Sequence, residues 1–70
     1  MAFSKGDRVK IVHINYNHSK RVNKPMPTII GMNGIIHKPS LIEDDAYNVK
    51  LDGGQLVLLY DDEIELLYSK

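Results

Sequence analysis

The sequence predicts an all-β chain, five short strands wrapped into one small barrel. Three observations carry this. Apolar and polar residues alternate over several short runs, Gly and Pro punctuate those runs, and no stretch holds a helical apolar period of useful length. The longest helical candidate, Leu56 to Tyr68, begins beside a hairpin turn and grades from apolar to acidic.

The first predicted strand runs from Arg8 to Tyr16. Val9, Ile11 and His13 share one parity, while Val12, Ile14 and Tyr16 share the other, so a bulge is expected where the apolar face changes. A long polar loop follows, from Asn17 to Pro27, stiffened at its end by Pro25 and Pro27. The second strand is predicted from Thr28 to His37. Gly31 and Gly34 within it mark a tight bend, a bulge or a close backbone approach, and Pro39 and Ser40 end it. The third strand, Ala46 to Leu51, alternates cleanly. Asp52-Gly53-Gly54 then supplies the positive-φ residues of a hairpin turn. Leu56 to Tyr60 forms the fourth strand, Asp61-Asp62-Glu63 a single helical turn, and Ile64 to Leu67 the last strand. Five strands, a long first loop, a hairpin and a helical turn before the last strand describe a Src-homology-3-like barrel. Closure lets few apolar residues shield one another.

Seventy residues allow one domain, spanning 1–70. A chain this short buries only about 60% of the surface its unfolded form exposes. It therefore depends on a staple, on closure of the sheet, or on association. The cysteine count of zero excludes disulfides, Cys-ligated zinc and protein-held iron–sulfur clusters. It also fits a cytoplasmic protein. No apolar run reaches membrane-spanning length, and the first residues lack a signal-peptide core, so a soluble chain with no membrane insertion is expected. Net charge is zero but segregated. Residues 1–40 hold seven of the nine basic residues and one acid, for +6, and residues 41–70 carry −6. A barrel interleaves these halves, which argues against strong non-specific nucleic-acid binding.

Several landmarks occur in order along nearly the whole chain: Gly6-Asp7-Arg8-Val9, His18, Asn23-Lys24-Pro25, Gly31-Met32-Asn33-Gly34-Ile35-Ile36, Tyr47-Asn48-Val49-Lys50-Leu51 and Glu63-Ile64-Glu65-Leu66. In this set the chain resembles the variable (alpha) chain of ferredoxin–thioredoxin reductase. The resemblance implies a barrel that holds no cofactor and embraces a catalytic subunit carrying an iron–sulfur cluster and a redox disulfide. The hairpin, Leu56 to Tyr60 and Pro25-Met26-Pro27 are similar to two related cyanobacterial barrels. One is the ferredoxin-docking subunit of the photosynthetic dehydrogenase complex, the other a sensor-kinase-interacting protein. All three are non-catalytic accessory proteins that bind protein partners.

The residues read as partner-binding are His18, Lys20, Arg21 and Lys24 in the long loop, Met32 and Asn33 at the glycine turn, and Val57 and Leu59 on the fourth strand. The three basic side chains could dock an acidic protein, where charge steers encounter more than it sets affinity. They could instead grip phosphates, as KOW-type RNA- or DNA-binding barrels do. A small inhibitor that caps a larger protein machine is a further alternative. Leu56 to Tyr60 is apolar on both parities, so Val57 and Leu59 are either covered by Phe3 or Tyr68 or exposed as a contact patch. The acids Glu43, Asp44, Asp45, Asp61, Asp62, Glu63 and Glu65 lack calcium-loop spacing and read as solvated turns and a capped helical turn. His13, His18 and His37 lack zinc-ligand spacing, and no nucleophile with an orienting acid is evident, so no catalytic or metal residue is expected.

Overall fold

In the computed structural model the described residues are 3–19, 21, 23–39 and 45–69. They form the predicted all-β fold of five strands in one antiparallel sheet. The strands are β1 (Arg8–Ile11), β2 (Asn33–Pro39), β3 (Ala46–Leu51), β4 (Leu56–Tyr60) and β5 (Ile64–Tyr68). Their order is β4-β3-β2-β1-β5, so the first and last strands are partners. No helix among the described residues is long and apolar enough to cross a membrane. The two charge halves do interleave: acidic β5 lies against basic β1, and an Arg8–Asp52 ion pair of 2.8 Å bridges them. Both side chains reach solvent, so that pair contributes little.

β1 is shorter than its apolar pattern predicts. Beyond Ile11 the Val12 and His13 amides both donate to the Glu63 carbonyl, at 3.0 and 3.4 Å. Two successive amides on one acceptor is the two-against-one count of a bulge. It turns Val12 and His13 outward and Ile14 into the core, so the expected change of parity is what ends the strand. The second strand also begins later than predicted. Pro27 opens a 3-10 turn, Pro27–Ile29, and Gly31 follows with φ +94°. A fixed proline φ and a left-handed glycine bend the chain there, so the strand starts at Asn33, while the Gly31 amide and the Met32 carbonyl bond Ile11 of β1 at 2.7 and 2.9 Å just before it. β3, β4 and the helical turn, a 3-10 turn at Asp61–Glu63, have their predicted bounds, and β5 runs one residue further. In the hairpin only Gly54 has a positive φ, +97°. Its amide donates to the Leu51 carbonyl while the Leu51 amide reaches Gln55, both at 2.8 Å.

The core comprises Phe3, Val9, Ile11, Ile14, Ile29, Ile36, Tyr47, Val49, Leu51, Leu59 and Ile64, with Met32 and Val57 packed half-buried against it. Phe3 meets Tyr47 edge-on, with ring centroids 5.4 Å apart, and its amide donates to the Tyr47 hydroxyl. Leu59 therefore cannot serve as an exposed contact residue. It is fully buried, because β4 turns the Val57/Leu59 parity inward and the Leu56/Leu58/Tyr60 parity outward.

Gly34 sits in β2 between Val9 of β1 and Leu51 of β3. A Cβ there would lie 2.8 Å from both the Lys50 carbonyl oxygen and Val49 Cγ1. Backbone must move to admit it. Gly34→Ala is expected to lower unfolding free energy by about 1–3 kcal/mol in urea denaturation. An unchanged midpoint would contradict this close approach.

Candidate protein-binding groove

The site is built by the long loop, and the loop is held by one carboxylate. Glu63 is fully buried at the last position of the 3-10 turn. Its Oε1 accepts the Tyr60 amide at 2.9 Å and the Arg21 guanidinium, and its Oε2 accepts the Asn15 amide at 2.5 Å. The Arg21 side chain is 2% exposed. Its Nε donates to the Asn15 carbonyl at 3.1 Å and its Nη1 to Asn23 Oδ1 at 2.9 Å. The pair is thus desolvated but surrounded by hydrogen bonds, the condition under which a buried ion pair holds together.

Aromatic stacking completes the attachment. Tyr60 and Ala46 are opposite each other on the outer face of the sheet, yet both are fully buried. The His18 ring stacks on Tyr60 at 3.7 Å and 14°, and the Arg21 guanidinium lies 5.1 Å from the same ring centroid. A turn closes the loop, with the His18 amide on the Asn15 carbonyl and the Arg21 amide on the His18 carbonyl. The outgoing limb is fixed by Asn23 Nδ2 donating to the Leu58 carbonyl at 3.2 Å and by the Tyr16 hydroxyl donating to the Pro25 carbonyl at 2.6 Å.

The limb so placed forms one wall of an open groove of about 760 Å³, and β4 forms the other. Asn23, Lys24, Pro25, Met26, Thr28 and Ile29 face Gln55, Leu56, Val57 and Leu58 across it. Met26 is 68% exposed and Leu56 58%. Among the described residues Lys24 is the only charged one in the lining.

Lys24 and Val57, thirty-three positions apart, are the two expected partner-binding residues that the fold brings together. Lys20 lies outside the described residues, as do Glu43 and Asp44. His18 and Arg21 are turned inward to hold the loop, so Arg21 is no free surface cation. Met32 packs on the core, and Asn33 stands opposite Lys10 in the β1–β2 ladder; neither lines the groove. Glu63 belongs to the capped helical turn that its sequence position suggests: its carboxylate accepts the Tyr60 amide, and two further donors converge on it, so it is buried rather than solvated. Its signal was its place three residues after the end of a strand, where a side chain can cap the turn. Met26 and Leu56 went unremarked as contact residues because lone apolar residues in loops and strand ends are common.

A second surface crosses the sheet. The cross-strand pairs Tyr68–Arg8, Arg8–Ile35, Ile35–Lys50 and Lys50–Leu56 make one outward row of alternating apolar and basic side chains. Among the described residues no group of three His, Asp or Glu is placed to hold a metal ion. Comparison with known proteins finds no matching family model, curated protein or solved structure. The functional reading rests on the chain's own geometry.

Glu63→Ala and Arg21→Ala should each cost about 3–5 kcal/mol, since each leaves buried polar groups without a partner. The double variant should cost clearly less than the sum. Additive losses in denaturant melts would mean that the two side chains act independently.

Proposed function

We propose that this chain is a non-catalytic accessory module that binds a protein partner through the groove between Asn23–Ile29 and β4. The supporting observation is the groove itself. It is a concave strip lined by exposed Met26 and Leu56 and half-buried Val57, with one cation, Lys24, among the described lining residues. An exposed apolar strip with a polar rim is the usual mark of an interface. The resemblance to the reductase variable chain suggests the partner: a catalytic subunit that supplies an iron–sulfur cluster and a redox disulfide.

The test is capture of partners from native lysate by the tagged chain after nuclease treatment, read by mass spectrometry and visible absorbance. A stoichiometric brown partner is expected. Met26→Asp and Leu56→Asp should each weaken its capture about tenfold or more, since contact anchors carry upwards of 1.4 kcal/mol. Both positions are exposed, so melting should hardly change. Equal capture by both variants would refute the groove as the docking surface.

The basic and apolar row across the sheet favours a second reading, a nucleic-acid-binding module. Under it, affinity for single-stranded RNA falls steeply with salt, and Arg8→Ala or Lys50→Ala each flattens the log–log slope by about one. A slope near zero excludes it.

A further inference from the structure

We propose that the groove receives its partner as an added strand: an extended segment with an acidic side chain, hydrogen-bonded to the free edge of β4. This rests on the protein-binding reading above and specifies how the groove is filled.

In an antiparallel pair, residues alternate between those whose N–H and C=O face the partner strand and those that face away. Leu51 N–H donates to the Gln55 carbonyl, which sets the phase: Gln55, Val57 and Leu59 face β3. Leu56, Leu58 and Tyr60 then direct their backbone groups to the open side. Two contacts agree with this phase, the Asn23 amide on the Leu58 carbonyl and the Glu63 carboxylate on the Tyr60 amide.

Those two side chains treat half of the edge as a neighbouring strand would. They occupy it from Leu58 O to Tyr60 N and stop there. The Leu56 amide, the Leu56 carbonyl and the Leu58 amide have no hydrogen-bond partner among the described residues, and Leu56 and Leu58 both line the groove. An unpaired strand edge is a template for another strand, and natural folds cover or blunt such edges unless they use them. Here the covered part and the open part meet at one residue, Leu58. The loop blocks extension toward Tyr60 and leaves a short recess opening toward Gln55.

Charge selects the occupant. Among the described residues the lining carries Lys24 and no acid. A second copy of the chain, pairing β4 with β4, would bring a second Lys24 to the recess. A partner segment with an acidic residue beside its strand-forming stretch is complementary.

The experiment selects peptides from a random-peptide phage library on the full-length chain and titrates the strongest into the 15N-labelled chain. The expected peptides alternate β-branched residues and include an acid. On binding, the Leu56 and Leu58 amides should shift downfield and become slow to exchange. Leu58→Pro removes only an edge N–H and is compatible with an edge strand; it should weaken binding about tenfold or more. Leu56→Pro, at the first position of the strand, serves in its place if Leu58→Pro unfolds. No selected binder, or binding without protection of those two amides, overturns the added strand. If Met26→Asp abolishes binding while Leu58→Pro does not, the groove binds protein through side chains alone and only this inference fails. If neither variant matters, the groove reading fails too. Dimers of the free chain with both amides already protected would assign the edge to a second copy and overturn the proposal.

Discussion

The carboxylate of Glu63 is where the sheet, the turn before the last strand and the long loop are joined. One oxygen takes the Tyr60 amide and the Arg21 guanidinium, and the other takes the Asn15 amide. Its own carbonyl receives Val12 and His13, which ends β1 and launches the loop. Both ends of the loop's path are therefore referred to one residue. Without that anchor, the limb from Asn23 to Thr28 would be held opposite β4 and in the loop only by the Asn23–Leu58 and Tyr16–Pro25 hydrogen bonds.

The arrangement also explains how a chain of 70 residues stabilises an outer sheet face. The inner face is an ordinary aliphatic core around Val9, Ile11, Ile36, Val49 and Leu59. On the outer face Tyr60 is covered by the His18 ring and the Arg21 guanidinium, and Ala46 opposite it is buried as well. A stacked ring and a paired guanidinium cover that corner with little apolar material. The same face carries the row from Tyr68 to Leu56, in which Tyr68, Ile35, Lys50 and Leu56 are exposed.

How much of this could be read in advance follows from the range of the interactions. β3 and the hairpin were legible because strict alternation and an Asp-Gly-Gly turn are local signals. The end of β1 was only half legible: the parity change at Val12 was visible, but the bulge depends on the Glu63 carbonyl far along the chain. Pro27 was read as stiffening the loop, although a proline also suits the start of a 3-10 turn. The orientation of β4 was not legible, since Leu56 to Tyr60 is apolar on both parities and only its partners decide which side faces in. The Arg21–Glu63 pair leaves no local trace, because each residue alone looks like an ordinary surface charge. A basic cluster at Lys20, Arg21 and Lys24 was thus a fair reading of the loop, and the fold assigns one of its members to internal structure.

Glu63 makes the loop part of the cooperative fold. Native-state hydrogen exchange tests it directly. The Asn15 amide, bound to the Glu63 carboxylate, should exchange only by global unfolding, with the same free energy as the Val49 amide in the middle of the sheet. Exchange of Asn15 at rates near those of an open chain, while Val49 remains protected, would show a loop that is not held and would contradict the account.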